Sequence, residues 1–427
     1  MSEKYLQFKI VVVGGGPAGL AAACAAAESG ARVALVDNTP WLGGQIWRGQ
    51  QAKPSLPQAQ QWLQRVRQTG NITILDNTSI VAALKPGVLL AEQADGACEI
   101  HAQKLIIATG ARELLLPFPG WTLPGVMGAG GLQVLAKHGW PVAGQRVVVA
   151  GSGPLLLAVA DGLKTAGAKV IAIYEQASLG PVIKFSASLL SHPSKVLQGL
   201  QIKTRLFGVP HRHGVWPVKA QGDEALSSVT FTNGQQTWSH ECDFLACGFG
   251  LVPNTELPLA LGCALSGDFV DVNASQMTSI ENVYCAGEPT GIGGVDSALV
   301  EGQIAGYAAT GEMTKARQLF RQRSSWHKFR AALANTYRLR PELKSMATDD
   351  SVVCRCEDVT FGRIKKISNW REAKLQTRCG MGACQGRTCG AATNFLLGWG
   401  MQSVRPPTLP AKVEDFLLTG EGPSSPH

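Results

Sequence analysis

The sequence lacks the features that would place a chain in a membrane or outside the cell. It contains no run of about eighteen consecutive apolar residues, so we expect no transmembrane segment. Its first residues do not combine a basic region, an unbroken apolar stretch and a small-residue cleavage site. These absences favour a cytoplasmic protein. With 427 residues, of which 45% are hydrophobic and only 7% aromatic, the chain is long enough for two or three globular domains.

Acidic residues are scarce in one segment. Residues 312–345 contain two acids against nine basic residues, a net charge of +7, while the whole chain carries +8. A nucleic-acid-binding protein would more often spread basic charge over a folded face, so we expect no nucleic-acid partner. The segment is typical both of a solvated helical connector and of a docking arm for an acidic partner.

Cysteines are unevenly distributed. Residues 1–350 contain six of the eleven. We expect neither a C-x2-C nor a C-x4-C pair among these six, so we do not expect the chain to reduce dithiols. We interpret these six as small buried apolar side chains. The other five crowd into 36 positions: Cys354, Cys356, Cys379, Cys384 and Cys389. In a chain without a secretory signal, this density favours metal ligation over disulfides.

The opening stretch FKIVVVGGGPAGLAAACAAAESGARVALVD predicts a strand, a glycine turn, a helix and a second strand. Its G-x-G-x-x-G glycines allow a tight turn, close approach to a pyrophosphate, and close packing of the helix on the strand. The unpaired N–H groups at the helix N-terminus favour the phosphates, and an acid after the second strand suits ribose hydroxyls. The predicted dinucleotide-binding residues are Gly14, Gly16, Pro17, Ala18, Gly19 and Asp37.

The stretch QRVVVAGSGPLLLAVADGLKTAGAKVIAIYE (145–175) repeats this unit, with Gly151 and Gly153 in the turn. Leu156 stands where the third glycine is expected, so the helix should pack less closely on its strand. Glu175 ends the second strand, and its carboxylate would repel a 2′-phosphate, which makes NADP the least expected occupant. NAD, another adenine nucleotide such as ATP, or no ligand remain open.

Three further stretches point to a family. They are NTPWLGGQIWRG (38–49), KLIIATGAR (104–112) and IENVYCAGEPTGIGGVDSALVEGQIAGYAA (280–309). With the opening motif, residues 8–311 resemble the glutathione-reductase-like flavoproteins, which have two dinucleotide-binding domains. The resemblance implies an α/β fold with two Rossmann-like domains and FAD in the first. It implies that Glu288, at a position where Asp is commoner, touches the ribityl chain. The residues that the resemblance adds to the FAD site are Gly44, Gln45, Thr109, Gly110, Gly287 and Glu288.

The carboxyl-terminal cysteines predict a metal centre. Cys354 and Cys356 form C-x-C, and in an extended segment residues i and i+2 point to the same face, so both thiolates can bind one iron. Cys384 and Cys389 lie among glycines, where backbone N–H groups can approach inorganic sulfide. Structural zinc more often uses C-x2-C. A 2Fe–2S cluster is therefore favoured, with zinc and a metal-free module as alternatives.

Residues 351–395 resemble the bacterioferritin-associated-ferredoxin-like domain, a small helical module that holds 2Fe–2S through C-x-C and a later cysteine pair. That later pair is often C-x2-C, whereas four residues intervene here, and Cys379 is a fifth candidate. The favoured ligands are Cys354, Cys356, Cys384 and Cys389, with Cys379 as a neighbour.

Taken together, these motifs and the stretch TRCGMGACQGR (377–387) are similar to the α subunits of heteromeric amine and opine dehydrogenases. That group includes opine oxidases, D-hydroxyproline and L-proline dehydrogenases and hydrogen cyanide synthase, with sarcosine oxidase's large subunit similar in part. The resemblance implies an electron-transfer and assembly subunit containing FAD and 2Fe–2S. It also implies a β subunit similar to D-amino-acid oxidase that oxidises the amine, a small ferredoxin-like γ subunit, and FMN between subunits.

The residues agree with such a division of labour, since none of six histidines lies in a nucleophile–base pattern and no catalytic residue is predicted. These histidines are His101, His138, His211, His213, His240 and His327. Two other functions remain as alternatives: a stand-alone NAD(P)H-dependent reductase of a ferredoxin-type acceptor, and a zinc-bearing scaffold without redox activity.

The predicted domains follow from these motifs. They are a discontinuous FAD-binding domain (1–115 and 245–311), a second Rossmann domain (116–244), a basic connector (312–345), a 2Fe–2S domain (346–395) and a Pro-rich tail (396–427). The tail sequence VRPPTLPAKVEDFLL (404–418) predicts an extended segment, either docked on another chain or free.

Overall fold

The computed structural model describes residues 5–50, 54, 56–189, 192–400 and 404–420. The strands are β1 (Tyr5–Val13), β2 (Val33–Val36), β3 (Ile72–Leu75), β4 (Ser79–Lys85), β5 (Val88–Gln93), β6 (Gly96–Ile107), β7 (Ala111–Glu113), β8 (Val126–Gly128), β9 (Arg146–Gly151), β10 (Lys169–Glu175), β11 (His211–His213), β12 (Trp216–Gln221), β13 (Ser228–Thr232), β14 (Thr237–Glu241), β15 (Phe244–Gly248), β16 (Leu251–Pro253), β17 (Leu265–Ser266), β18 (Phe269–Val270), β19 (Val283–Cys285), β20 (Val352–Cys354) and β21 (Val359–Thr360). The α-helices are α1 (Pro17–Ala27), α2 (Pro57–Gln68), α3 (Ala129–Lys137), α4 (Leu155–Thr165), α5 (Leu179–Ser188), α6 (Pro193–Arg205), α7 (Glu256–Ala260), α8 (Gly294–Thr310), α9 (Met313–Gln318), α10 (Phe320–Thr336), α11 (Phe361–Ile364), α12 (Trp370–Thr377) and α13 (Cys389–Leu397).

The chain divides into two compact units, each built from separate stretches. Unit 1 comprises residues 1–112, 253–330 and 402–427, and unit 2 comprises residues 113–252 and 331–401. Unit 1 includes residues up to 330, so it contains α9 and most of α10 together with the FAD-type sheet. Both helices lie in the predicted basic connector.

Unit 1 contains a seven-stranded sheet in which β3, β2, β1 and β6 follow in order, with β19 paired to β6. Those five strands are parallel, while β4 and β5 continue from β6 as an antiparallel meander. The β-branched run of β1 is buried on both faces, as expected for a central parallel strand, with Ile10, Val11 and Val12 fully inaccessible.

Small residues set the packing of the helices on this sheet. Helix α1 is almost entirely alanine, glycine and leucine, and it packs along α8. A Cβ on Gly302 would lie 2.1 Å from the Ala18 carbonyl oxygen, and one on Gly306 would lie 2.4 Å from the Ala22 oxygen. Glycine at these two positions therefore allows the backbones of α1 and α8 to touch.

Unit 2 repeats the Rossmann arrangement with a five-stranded parallel sheet in the order β11-β10-β9-β15-β8. A three-stranded antiparallel sheet of β12, β13 and β14 accompanies it. Helix α4 buries Leu156, Val159, Ala160 and Leu163 against the parallel sheet. The leucine at the third glycine position thus becomes part of the hydrophobic core.

The cysteine-rich region of unit 2 is a small module of β20, β21, α11, α12 and α13. Its core contains Val353, Val359, Ile364 and Trp399 together with three of the cysteines. Helix α12 begins after Asn369, whose side chain accepts the Glu372 N–H at 3.0 Å, an ordinary N-cap. The module has too few apolar residues for a large core, so bound metal would contribute to its stability.

Residues 404–420 of the predicted Pro-rich tail pack on unit 1, whereas its residues 396–400 belong to unit 2. Thr408 donates its N–H to the Val81 carbonyl oxygen at 2.7 Å, and Phe416 packs against Leu90. These contacts satisfy backbone groups on β4, so this part of the tail covers its own sheet, although docking on another chain or a free end was expected. The prediction of an extended segment is wrong for Val413–Gly420, which forms a 3-10 helix. Residues 401–403 and 421–427 of the predicted tail lie outside the described residues.

Among the helices that the structure describes, none has the length and apolar character needed to cross a membrane. The predicted α/β fold, with two Rossmann-like units and a small carboxyl-terminal helical module, is confirmed by this architecture.

Candidate cofactor sites

The first glycine turn joins β1 to α1 and leaves no room for side chains. Gly14 has φ +109°, and a Cβ there would lie 2.2 Å from the Ala108 carbonyl oxygen. A Cβ on Gly19 would lie 1.7 Å from the Gly14 oxygen. The backbone therefore passes close to β6 before the helix begins at Pro17, and the first N–H groups of α1 are left to bind an anion.

Asp37 holds this turn from the end of β2. Its Oδ2 accepts the Gly15 N–H at 2.6 Å, and its Oδ1 accepts the N–H and hydroxyl of Thr39 at 2.9 and 2.6 Å. The carboxylate is 8% exposed. Oδ2 accepts only one of these bonds and has a second lone pair, so the carboxylate can accept a ribose hydroxyl as well as fix the turn.

The loop after β2 also reaches the glycine turn. Gly43 donates its N–H to the Gly15 carbonyl oxygen at 2.8 Å, and a Cβ on Gly44 would lie 2.9 Å from the Gly16 Cα. Gln45 follows with an exposed side chain. The predicted flavin-site loop thus contacts the predicted pyrophosphate turn, although Gly16 and Gly44 are 28 residues apart in the sequence.

The remaining predicted residues come from the ends of β6 and β19. Because β1, β6 and β19 are parallel neighbours, their carboxyl ends lie at one edge of the sheet. Thr109 donates its hydroxyl to the Asn254 carbonyl oxygen at 2.7 Å, and a Cβ on Gly110 would lie 4.0 Å from the Glu288 Oε2. Gly287, at φ +80°, approaches Ala18 of α1. The structure therefore brings all the predicted residues of the first site together.

Burial affects two polar side chains at this edge, Glu288 and Ser297. Burial raises the pKa of Glu288, and a hydrogen bond from the Ala111 backbone opposes the rise. Ser297, in the first turn of α8, has a buried hydroxyl without a hydrogen-bond partner among the described residues. An orphaned buried hydroxyl beside a glycine-rich turn is what a bound cofactor would satisfy. The residues present therefore fit FAD.

Sequence reasoning missed one residue at this edge. Glu301 of α8 is 1% exposed, and its Oε2 accepts the Gly287 N–H and the Thr290 hydroxyl, each at 2.9 Å. Its Oε1 accepts from Arg330 at 2.9 Å and lies 3.2 Å from the His327 Nε2. The available signal was an acid in the middle of the helix GVDSALVEGQIAGYAAT, whose residues beyond the first turn are otherwise mostly small or apolar.

The second glycine turn has the same form but is bonded to a different segment of unit 2. Gly151 has φ +138° and packs on the Gly248 oxygen, while Gly153 has φ +103°. Ser152 donates its hydroxyl to the Tyr337 carbonyl oxygen at 3.1 Å, and Gln176 accepts the Arg340 N–H at 3.2 Å. Residues 337–340 therefore lie against the turn where the sequence predicted a nucleotide.

Glu175 occupies the same place in unit 2 as Asp37 in unit 1. It is 3% exposed, and it accepts the N–H groups of Gly153 and Ala177 at 2.7 and 2.8 Å. Burial raises its pKa to about 7 from 4.5, against the opposing effect of hydrogen bonds from Ala177, Gly153 and Ser152.

This shift predicts a pH dependence of stability. The folded state binds the Glu175 proton more tightly than the unfolded state does. The contribution of Glu175 to the free energy of unfolding is therefore complete below pH 4.5 and decreases as the pH rises to 7. The decrease amounts to about 3 kcal/mol when the shift is converted at 1.36 kcal/mol per pH unit. Glu175→Gln should remove this slope. Thermal unfolding of both proteins from pH 4.5 to 8 measures the difference, and parallel curves would contradict the shift.

The five carboxyl-terminal cysteines converge in the small module. The Sγ atoms of Cys354, Cys379 and Cys389, all buried, lie within 4.8 Å of one another. Cys356 is exposed, and its thiol hydrogen-bonds with that of Cys384. The structure thus groups Cys379 with two predicted ligands and pairs the other two.

Backbone geometry brings these thiols together. Gly380 donates its N–H to the Cys354 Sγ at 3.4 Å and has φ +79°. A Cβ on Gly382 would lie 2.3 Å from the Cys356 Cβ. Burial acts to raise the pKa of Cys384, but N–H groups of residues 386–388 and the Cys356 thiol outweigh it, so the net pKa is lowered. N–H groups directed at sulfur would stabilise a thiolate bound to a metal centre.

Arg355, between the two cysteines of C-x-C, fixes this strand within unit 2. Its guanidinium lies over the Trp121 ring, 5.3 Å from the centroid. The Trp121 Nε1 donates to the Val352 carbonyl oxygen at 2.6 Å. A small cavity lined by Phe118, Trp121 and Arg355, with Cys247 on its wall, adjoins these contacts.

Two cysteines of unit 2, Cys242 and Cys247, have the spacing of a redox pair but not its chemistry. Cys242 and Cys247 form a C-x4-C spacing that sequence reasoning overlooked. Both are buried free thiols, and burial raises the pKa of Cys242 to about 12 and that of Cys247 further. Since the thiolate is the reactive species, these cysteines are structural.

Comparison with known proteins agrees with this geometry. A family model described as pyridine nucleotide-disulphide oxidoreductase matches residues 8–305. The hydrogen cyanide synthase subunit HcnB of Pseudomonas aeruginosa is 32% identical over 425 residues, which cover 90% of this chain and 91% of that protein. An opine oxidase subunit of Rhizobium meliloti is 30% identical over 455 residues, covering 94% of this chain and 97% of that protein.

Among solved structures, L-proline dehydrogenase from P. horikoshii matches with a TM-score of 0.68 at 21% identity, covering 97% of this chain and 80% of that one. That likeness concerns the fold. The family match implies FAD, and the named relatives are subunits of larger enzymes. The chain therefore belongs to the pyridine nucleotide-disulphide oxidoreductase family, together with HcnB and the opine oxidase subunit of Rhizobium meliloti, and is a flavin oxidoreductase subunit.

Proposed function

We propose that this chain is the electron-transfer and assembly subunit of a heteromeric amine dehydrogenase, and that it contains FAD and a 2Fe–2S cluster. The main observation behind the proposal is that five thiols converge in one module. The same chain also contains residues that fit FAD at the carboxyl ends of the parallel strands of unit 1. A flavin accepts two electrons and can release them singly, which suits exchange with a one-electron cluster.

The cluster ligands in this proposal are Cys354, Cys356, Cys384 and Cys389, although the structure groups the sulfur atoms of Cys354 and Cys389 with that of Cys379 and pairs Cys356 with Cys384. The C-x-C motif supplies two of these thiols, Cys354 at the end of β20 and Cys356 two residues later. The lowered pKa of Cys384 supports its presence as a thiolate. Gly380 and the N–H groups of residues 386–388 would stabilise the cluster's negative charge.

The FAD ligands are the glycines of the first turn and the residues at the ends of β6 and β19. Asp37 would accept ribose hydroxyls while keeping its bond to the Gly15 N–H. Glu288, whose pKa is raised by burial, would donate to or accept from the ribityl chain. In the second unit, Gly151, Gly153 and Glu175 would hold an adenine nucleotide such as NAD or ATP, and FMN would lie between subunits.

The amine would be oxidised on a partner β subunit similar to D-amino-acid oxidase, with a small ferredoxin-like γ subunit completing the complex. The relatives' names include an opine oxidase, and opines are secondary amines. We therefore propose an opine or a D-hydroxyproline-type secondary amine as substrate. Among the described histidines, His138 bonds to a backbone carbonyl, and His101, His240 and His327 bond to neighbouring side chains. His240, for example, lies 2.6 Å from the Tyr174 hydroxyl, and none of these bonds forms a nucleophile–base pair.

The proposal predicts that reduction by amine requires the partner. The chain should be co-expressed with a D-amino-acid-oxidase-like protein and a small ferredoxin-like protein, and the purified complex titrated anaerobically with octopine, nopaline and D-hydroxyproline. One of these amines should bleach the flavin of the complex within a catalytic turnover, whereas the isolated chain should not respond.

Two results would contradict it. Bleaching of the isolated chain by NADH on a catalytic timescale would indicate a stand-alone reductase. Zinc without iron or flavin absorbance would indicate a scaffold without redox activity.

A further inference from the structure

One face of α10 is directed into unit 1. Arg323, Trp326, His327 and Arg330 recur at i, i+3, i+4 and i+7, so they share one side of the helix. Trp326 is 8% exposed and packs with Val300 and Ile304 of α8. Arg321 and Lys328 on the same helix are exposed. The basic segment therefore has an inward face as well as a solvated one.

Arg330 acts on the flavin-site turn through Glu301. Its Nη1 lies 2.9 Å from the Glu301 Oε1, and its side chain is 17% exposed. It also lies 3.5 Å from the Gly291 carbonyl oxygen. The other oxygen of Glu301 holds the Gly287 N–H. A carboxylate this buried needs a charged partner, so removing Arg330 would favour rearrangement of Glu301 and release of the Gly287 N–H.

Arg323 reaches the same edge by a second route. Its Nε donates to the Gln276 Oε1 at 2.8 Å, and Gln276 is fully buried. The Gln276 Nε2 donates to the Cys285 carbonyl oxygen at 3.2 Å. Cys285 ends β19, two residues before Gly287. Arg323 and Arg330, seven residues apart, thus each bind a buried side chain, Gln276 and Glu301 respectively. Each of these side chains hydrogen-bonds to the backbone at or just before Gly287.

We propose that Arg323 and Arg330 form a clamp that positions the Gly287–Glu288 turn for FAD. They are positioning residues, since each acts through Gln276 or Glu301. The inference rests on FAD binding in unit 1 and is independent of the cluster and of the amine. The inference assigns to α10, which lies in the basic segment, a function in the FAD site of unit 1.

The test uses the full chain freed of flavin and titrated with FAD by flavin fluorescence. Arg330→Ala should weaken FAD binding about tenfold or more, since it leaves the buried Glu301 Oε1 with only the His327 ring nitrogen, at 3.2 Å, as a side-chain partner. Arg330→Lys should recover most of the affinity, because it restores the charge. Arg323→Ala should weaken binding less, because Gln276 is neutral. The matched controls Arg321→Ala and Lys328→Ala, on the exposed face, should stay within about twofold of wild type.

Thermal unfolding of the flavin-free proteins separates positioning from stability. Lower melting temperatures for Arg330→Ala with unchanged FAD affinity would assign the arginine a purely structural role and overturn the inference. So would equal losses of affinity in the exposed-face controls. A wild-type chain that takes no FAD would contradict the FAD assignment and this inference together, whereas equal affinities in wild type and Arg330→Ala contradict this inference alone.

Discussion

Cys384→Ala should yield a chain that folds, binds FAD and contains almost no iron or acid-labile sulfide. The wild type should carry about two irons and two sulfides per chain if the cluster is 2Fe–2S. Cys384 is the thiol whose net pKa is lowered by backbone N–H groups, and it hydrogen-bonds with Cys356, so its loss removes a thiolate from one iron and disturbs the other pair. Iron and sulfide analysis with visible absorbance after anaerobic purification measures the effect.

Cys379→Ala is the matched control, because Cys379 is also in the module and fully buried. Under the proposed ligand set this variant keeps its iron, with stability lowered by the small cavity that the missing sulfur leaves. The opposite pattern, iron retained without Cys384 and lost without Cys379, would make the buried group of Cys354, Cys379 and Cys389 the metal-binding core. Loss of iron in neither variant would contradict both assignments.

Gly19→Ala should yield a chain without FAD and with a markedly lower melting temperature. The added Cβ would start 1.7 Å from the Gly14 carbonyl oxygen, so α1 must move away from β1. Overpacking of this kind costs about 1–3 kcal/mol of unfolding free energy, and the same movement takes the helix N-terminus away from the phosphates. Flavin content and thermal unfolding of the purified chain measure the two effects.

Gly70→Ala provides the comparison in the same unit. Gly70 is exposed, has no neighbour within 4 Å of an added Cβ and does not have a positive φ. This variant should bind FAD and melt like the wild type. Comparable loss of FAD from both variants would show that the glycine turn is not the determinant.

The second unit shows how far the sequence pattern could be followed. The strand, turn, helix and acid were predicted from residues 145–175, and the structure has β9, α4 and β10 with Glu175 at the end. Leu156, which predicted less close packing of the helix on its strand, is buried in the core of unit 2. The bonds of Ser152 and Gln176 to residues 337–340 could not be predicted, because they join positions more than 160 residues apart.

The amino-acid sequence by itself determined the family, the two Rossmann-like units and the residues of the first glycine turn. These depend on short-range requirements, such as glycine at φ values that other residues rarely adopt, and such requirements are visible in adjacent positions. Only the tertiary structure decided which thiols converge and that α10 turns two arginines inward. Those arrangements arise because a buried charged or polar group must be paired. Its partner is often distant in the sequence, so the spacing of residues does not predict which groups pair.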